Sequence, residues 1–191
     1  MRRSWFIWAI VVGVASIVLA AVIMRLTDDD DGSPSAAAWA ESVCTSLATW
    51  KSSIESLADV SSGSLNAETL QVKIDDAETA TSTLVAELKD LGAPDLESGD
   101  ELQAQLSGSA DAIESSVDAL KEGAQQAADA DSPQEFLQEL AALAPQFQAL
   151  LNTSSETIGQ LQDADVADNS KAELQAAFAD AESCRQLQGD G

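Results

Sequence analysis

From Ala36 onward, apolar and small residues recur at alternating steps of four and three, which is the spacing of one face of an α-helix. The pattern restarts four times, so it divides the chain into four long amphipathic segments and one shorter segment. The five series are Ala36, Ala40, Val43, Leu47, Trp50, Ile54, Leu57; Leu70, Ile74, Ala77, Thr81, Leu84, Leu88, Leu91; Leu102, Leu106, Ile113, Val117, Leu120, Ala124, Ala127; Phe136, Leu140, Leu143, Phe147, Leu150, Ser154, Thr157, Leu161; and Leu174, Phe178, Ala181, Cys184. No segment has a convincing period-two strand pattern. The sequence therefore predicts an all-α fold over residues 36–188.

Turn and cap residues fall between these segments. Ser61-Ser62-Gly63 follows the first series and Gly92-Ala93-Pro94 follows the second, where glycine suits a helix C-cap and proline prevents continuation. Three later starts have a serine followed three residues on by a glutamate. This is a capping box, in which each side chain binds the other residue's backbone N–H. The pairs are Ser98 with Glu101, Ser132 with Glu135 and Ser170 with Glu173.

Short turns between long helices predict an up-and-down antiparallel bundle of four helices, with the shorter fifth helix parallel to the first. Pro145 lies inside the fourth series and removes the hydrogen bond to the carbonyl of Ala141. We therefore expect either a kink at Pro145 or two half-helices.

The two cysteines, Cys44 and Cys184, lie near the beginning and near the end of the folded region in sequence. Cys44 is about 15 Å along the first helix, and Cys184 is about 21 Å along the parallel fifth helix. These similar heights predict a disulfide, and disulfides persist mainly outside the reducing cytosol. The cysteines do not form the closely spaced pair that is common among reactive thiols, so we interpret the bridge as structural.

Residues 5–26 form an apolar run long enough for a transmembrane helix. Arg2 and Arg3 precede the run and an acidic segment follows it, so the positive-inside rule predicts a cytoplasmic stub at residues 1–4 and an extracytoplasmic remainder. Residues 27–35 are predicted to be an acidic linker, because four consecutive aspartates are followed there by Gly, Ser and Pro. The predicted location is the cell membrane, with a single pass and the bilayer as a partner.

A cleaved signal peptide is the alternative interpretation of the N-terminal segment. Val18 and Ala20 could precede a cut between Ala20 and Ala21, which would make the protein secreted. The apolar run continues past that point, however, and a secretory signal usually has a shorter apolar region. An uncleaved anchor is therefore favoured.

The charge and composition of the chain exclude several classes of function. Nine basic residues face thirty-three acidic ones, and without Arg2, Arg3 and Arg25 the exported part has a net charge of 6 − 33 = −27. Such a surface repels the phosphates of nucleic acid, which is excluded as a partner. Histidine is absent, so histidine-dependent triads and histidine-ligated zinc or iron sites are impossible. No P-loop or dinucleotide-binding glycine pattern occurs, so no cofactor is predicted.

No catalytic, cofactor-binding or metal-binding residues are predicted. Asp163, Asp165 and Asp168 weakly suggest a calcium loop, but Asp168 occupies the position of the required glycine and Leu174 that of the required glutamate. We interpret this segment as a polar turn. Trp39 and Trp50 lie on or beside the apolar face of the first helix, where large rings are usually core residues. The small and hydroxyl side chains at other core positions allow either close helix packing or a slender cavity; these include Thr81, Ser154 and Thr157.

Several segments carry a resemblance to known proteins. They are Trp39-Ala40-Glu41-Ser42-Val43-Cys44 followed by Trp50-Lys51-Ser52-Ser53-Ile54; Leu88-Lys89-Asp90-Leu91-Gly92-Ala93-Pro94-Asp95; and Ala177-Phe178 through Cys184. In these segments the chain resembles uncharacterised exported helical proteins of high-GC Gram-positive bacteria, which have one cysteine in the first helix and one near the C-terminus. The resemblance spans most of the exported part. It implies a location in the cell envelope and no functional residues.

These observations lead to three hypotheses. The first is a non-enzymatic envelope protein whose acidic bundle acts by binding or spacing, with an unknown protein partner in the envelope. The second is a carrier of lipid or a small apolar molecule, held in a cavity between helices. The third is a carboxylate-dependent hydrolase, which requires a cleft holding an acid with a strongly raised pKa.

Overall fold

The computed structural model describes residues 33–58 and 66–189, and these residues contain helices and no strand. The prediction of an all-α fold is confirmed. The six helices of these two ranges are α1 (Ala36–Ala58), α2 (Ala67–Asp90), α3 (Gly99–Ala128), α4 (Pro133–Gln162), α5 (Asp168–Asp180) and α6 (Glu182–Gly189). The predicted transmembrane segment 5–26, the stub 1–4, most of the linker and the turn at residues 61–63 lie outside the described residues. Within the described ranges, no helix has the length and apolar character needed to cross a membrane.

Pairs of contacting residues show how the helices run. Trp39 contacts Gly92 just beyond α2, whereas Trp50 contacts Thr81 farther back along α2, so α1 and α2 are antiparallel. Corresponding pairs make α2–α3 and α3–α4 antiparallel as well. They are Lys89 with Asp111, Glu78 with Lys121, Gln105 with Gln160, and Gly123 with Leu143. The four long helices therefore form an up-and-down bundle, as the short connections predicted.

The two short helices pack beside the first half of α1. Trp39 contacts Phe178 in α5, and Cys44 contacts Cys184 in α6, so positions increase together along both segments. This part of the chain is parallel to α1, as predicted. It is divided into two helices, however, because Ala181 has an extended backbone with φ −65° and ψ 122°. The prediction of one continuous fifth helix is wrong.

The break at Ala181 aligns α6 with α1. The hydroxyl of Ser183 donates a 3.2 Å hydrogen bond to the backbone carbonyl of Glu41, and Cys184 reaches Cys44 one turn farther along. No glycine or proline marks the break in the sequence. The contacts with α1 supply the physical reason for it.

The core is built around two tryptophans of α1, as predicted. Trp39 and Trp50 are 0% and 2% exposed, and the Trp39 ring meets Phe178 edge-on with the ring centres 6.1 Å apart. The indole N–H of Trp39 donates a 2.9 Å hydrogen bond to the carbonyl of Gly92. Gly92 has φ +70°, the left-handed conformation that glycine adopts readily after a helix, and α2 ends just before it as predicted.

One capping box is confirmed in its main feature. The Ser132 hydroxyl accepts a 3.2 Å hydrogen bond from the Glu135 N–H at the start of α4. The Glu135 carboxylate accepts in return from the N–H of Asp131 instead of that of Ser132. The start of α2 has a cap that the sequence analysis missed: the Asn66 side chain accepts a 2.8 Å bond from the Thr69 N–H.

The predictions of capping boxes at Ser98 and Ser170 are wrong. Ser98 precedes α3, but its hydroxyl accepts a 3.4 Å bond from the distant Ala167 N–H and makes no cap bond. Ser170 is buried inside α5, because that helix already begins at Asp168. At Ser98 a contact with a distant part of the chain replaces the local pairing, whereas at Ser170 the helix starts two residues earlier than predicted.

Proline 145 does not divide the fourth helix. Helix α4 runs without interruption from Pro133 to Gln162 and includes Pro145. The alternative of two half-helices is therefore wrong. The surrounding turns of α4 retain the helical pattern that the apolar spacing predicted.

Candidate functional site

The disulfide between Cys44 and Cys184 is the principal covalent feature of the bundle, and its prediction is confirmed. It joins α1 to α6, with the two Cα atoms 5.0 Å apart and a sequence separation of 140 residues. Both cysteines are 0% exposed. Because the sulfur atoms are covered, a reductant or a thiol reaches them only when the bundle opens. The bridge therefore acts as a structural crosslink.

One end of the bundle gathers three chain segments, and we call it the proximal end. The Asp95 N–H donates a 2.8 Å hydrogen bond to the carbonyl of Pro34, which joins the entering chain to the α2–α3 turn. The bond between Ala167 and Ser98 joins the α4–α5 turn to the start of α3. These bonds fix the position at which residue 33 enters the bundle.

The opposite, distal end contains a cleft between the first half of α2 and the last half of α3. Its volume is about 490 Å³, and its floor includes Ile74 and Ala124. Three carboxylates line it, namely Glu68, Asp75 and Asp129. The cleft therefore combines a small apolar floor with an acidic rim.

Lys121 is the basic residue that lines this cleft. Its ammonium group donates a hydrogen bond to the Glu78 carboxylate across the α2–α3 interface. That bond raises the pKa of Lys121 above its ordinary value, against the lowering effect of burial, and charge attraction to Glu78, Asp75 and Asp118 adds to the rise. The lysine is thus already paired within the bundle.

The second cross-helix ion pair lies nearer the proximal end. Lys89 in α2 donates a 2.9 Å hydrogen bond to Asp111 in α3, and this bond raises the pKa of Lys89. The sequence did not predict either cross-helix pair, because each pair depends on which faces of α2 and α3 meet. The pair of Lys51 with Glu55 differs, since its i,i+4 spacing is visible in the sequence.

The acidic segment after α4 forms a turn. Asp163 caps the C-terminus of α4, and Asp168 begins α5. Asn169 donates a 3.1 Å hydrogen bond to the Glu97 carboxylate, which ties α5 to the α2–α3 connection. Throughout residues 33–58 and 66–189, no group of three Cys, Asp or Glu side chains is placed to hold a metal ion.

Hydroxyl side chains at core positions are used in helix packing. Thr81 accepts a hydrogen bond from Trp50, and Ser154 donates to the carbonyl of Leu151 within its own helix. Two buried side-chain atoms of the described chain lack a partner, Gln103 Oε1 and Ser170 Oγ. Gln103 as a whole is half-buried, and the polar residues of the described chain that are buried as a whole are all serine or threonine, with no charged residue among them.

Comparison of the chain with protein-family models, with curated proteins and with solved structures gave no match.

Proposed function

We propose that the chain is a non-enzymatic, membrane-anchored protein of the cell envelope, whose extracytoplasmic helical bundle acts by binding or spacing. The anchor is the apolar segment at residues 5–26, and the linker is residues 27–35. The bundle is the part that meets other envelope components. Its acidic surface disfavours nucleic acid and anionic lipid headgroups.

The disulfide is the observation that carries this proposal. Cys44 and Cys184 are bonded and fully buried at the interface of α1 and α6. Cytosolic thiols are kept reduced by glutathione and thioredoxin, so a structural disulfide favours an extracytoplasmic location. The apolar segment at residues 5–26 supplies a route to that location.

The length of the bundle supports a role in spacing or presentation. Helix α3 has 30 residues and so extends about 45 Å from the proximal to the distal end. The chain enters at the proximal end, where the carbonyl of Pro34 is held by Asp95. The distal cleft and the α3–α4 turn therefore lie at the end of the bundle opposite Pro34.

Intact-mass analysis of the protein from membrane and medium fractions of its native host tests the proposal. We expect a full-length species in the membrane with no alkylated cysteine. A shorter species in the medium, with residues 1–20 removed, would contradict the anchor and leave export in place. Alkylation of Cys44 and Cys184 in the untreated full-length protein would contradict the extracytoplasmic location.

A variant that lacks residues 1–26 is the matched control. It keeps the described bundle and both cysteines but loses the proposed export signal. We expect it in the cytosol with both thiols open to alkylation under denaturing conditions. If the variant is oxidised like the full chain, the disulfide is not evidence for export.

The alternative of a ligand carrier has one observation in its favour, the distal cleft of about 490 Å³. Its rim of Glu68, Asp75 and Asp129 suits a polar or cationic ligand better than the lipid that the sequence analysis considered. Native mass spectrometry of the purified full chain tests for a co-purifying adduct, and hydrophobic-dye binding tests for an apolar cavity. If neither is observed, the carrier hypothesis fails.

A further inference from the structure

The distal cleft exists because α2 and α3 carry small side chains where they approach each other near the distal end. Its apolar lining residues are Ala67, Ile74, Ala124 and Ala128. Farther along the same two helices the interior is filled by buried leucines, among them Leu84, Leu88 and Leu106. The resulting volume of about 490 Å³ lies in the range of about 300–1,000 Å³ that is usual for small-molecule sites. The cleft therefore has room for a small organic molecule over an apolar floor.

The carboxylates of the cleft stand at both of its ends. Glu68 and Asp75 are seven residues apart on α2, so they lie on one face of the helix and about 10 Å apart along its axis. Asp129 follows α3 at the same end of the cleft as Glu68. None of these three carboxylates takes part in a salt bridge with another described residue, and Lys121 is held by Glu78. Each end of the cleft thus has negative charge without a cationic partner.

This spacing suits an elongated organic cation better than a metal ion. A metal ion needs several oxygen ligands gathered around one point. In the part of the chain that the structure describes, no group of three acidic or cysteine side chains meets that requirement. A linear chain of single bonds advances about 1.2 Å per bond, so a diamine with about six carbons holds its ammonium groups about 8 Å apart. An ammonium group then reaches a carboxylate at each end through a hydrogen bond of about 2.8 Å.

We propose that the distal cleft binds a linear aliphatic diamine, with one ammonium group at Asp75 and the other between Glu68 and Asp129. The methylene chain lies over Ile74 and Ala124, so binding removes apolar surface of both the ligand and the protein from water. The same carboxylates repel fatty acids and other anionic ligands. This site goes beyond the proposed role in the envelope and does not depend on the membrane anchor.

Isothermal titration calorimetry of the full chain in a non-ionic detergent tests the proposal, with hexamethylenediamine as the probe. Hexylamine has the same apolar chain with one charge, and trimethylenediamine has two charges that are too close together to reach both ends. We expect hexamethylenediamine to bind at least about fivefold more tightly than either compound. Equal affinity for the three amines, or no binding of hexamethylenediamine at about 10 mM, would overturn the proposal.

The inner end of the site is tested by Asp75→Asn, with Asp76→Asn as the matched control. Both substitutions remove one negative charge from α2, but Asp76 is exposed and does not line the cleft. We expect Asp75→Asn to weaken the binding of hexamethylenediamine by about fivefold and Asp76→Asn by less than about twofold. Equal effects of the two substitutions would mean that the diamine responds only to net charge, and the site would be rejected.

The apolar floor is tested by Ala128→Leu, which leaves the charge of the chain unchanged. Ala128 is half-buried and lines the cleft, whereas Ala119 is an exposed alanine of the same helix outside it. We expect Ala128→Leu to abolish binding of hexamethylenediamine, because the larger side chain fills the cleft. Ala119→Leu should keep the wild-type affinity, and circular dichroism should show the same helix content in both variants. Wild-type affinity in Ala128→Leu would place the diamine outside the cleft and overturn the proposal.

Discussion

The indole N–H of Trp50 donates a 3.0 Å hydrogen bond to the hydroxyl of Thr81 across the α1–α2 interface, and both residues are 2% exposed. A buried indole N–H needs an acceptor, because an unpaired one loses its hydrogen bonds to water. Thr81 occupies a position of α2 that the apolar spacing assigns to the core. Its hydroxyl is present there to satisfy Trp50.

Replacing Thr81 with valine should therefore destabilise the bundle although the two side chains have similar shapes. We expect the free energy of unfolding to fall by about 1–3 kcal/mol, because the Trp50 N–H is left buried without an acceptor. Urea denaturation followed by tryptophan fluorescence measures the change. Thr83→Val is the matched control, since Thr83 is exposed and its hydroxyl binds only the carbonyl of Thr79. Equal losses in the two variants would contradict the role of this bond.

Removing the disulfide should lower stability without abolishing the helical fold. The bridge links residues 140 apart in sequence. In the chain-entropy account, closing a loop of this length strongly reduces the conformational entropy of the unfolded state. We expect Cys44→Ala combined with Cys184→Ala to reduce the free energy of unfolding by about 2–5 kcal/mol. The measurement is the urea concentration at the unfolding midpoint, compared between the double variant and the oxidised wild type. An unchanged midpoint would show that the bridge does not stabilise the bundle.

Two glycines of α3 provide a test of the packing between α3 and α4. A Cβ atom added to Gly123 would lie 2.5 Å from Leu143 Cδ2, whereas a Cβ added to Gly108 meets nothing within 4 Å. Gly108→Ala should stabilise the protein by about 0.5–1 kcal/mol through helix propensity. Gly123→Ala should be less stable than Gly108→Ala by about 1–2 kcal/mol, because Leu143 must move. If thermal unfolding gives the two variants the same stability, α3 and α4 are not packed this closely at Gly123.

Local patterns in the sequence were sufficient for most of the fold. Apolar spacing located the helices. Gly92 marked the end of α2, because the left-handed backbone conformation needed there is one that glycine adopts readily. The disulfide followed from the heights of Cys44 and Cys184 along parallel segments. These features depend on periodicity and chain length, which a single sequence contains.

The errors occurred where distant contacts compete with local ones. The Ser98 hydroxyl accepts a hydrogen bond from the N–H of Ala167, 69 residues away, in place of the predicted cap bond. The break at Ala181 depends on contacts between α6 and α1. The distal cleft depends on how α2 is oriented about its axis relative to α3, and the apolar spacing does not determine that orientation. A single sequence gives no measure of these contacts.

The two cross-helix lysines predict how stability changes in alkaline solution. Hydrogen bonds to Glu78 and Asp111 raise the pKa of Lys121 and Lys89 in the folded state above the unfolded value of about 10.4. The folded state therefore binds more protons than the unfolded state in this range. The stabilisation is fully present below pH 10.4 and is lost as the pH rises through the raised pKa values.

We therefore expect the free energy of unfolding to fall as the pH rises above about 10.4, and to fall less steeply when both lysines are replaced by methionine. Urea denaturation at intervals of pH measures the slope for the wild type and for Lys89→Met with Lys121→Met. Lys73→Met is the control, because Lys73 makes no salt bridge within the described part of the chain. If the double variant keeps the wild-type slope, these pairs do not contribute to alkaline unfolding.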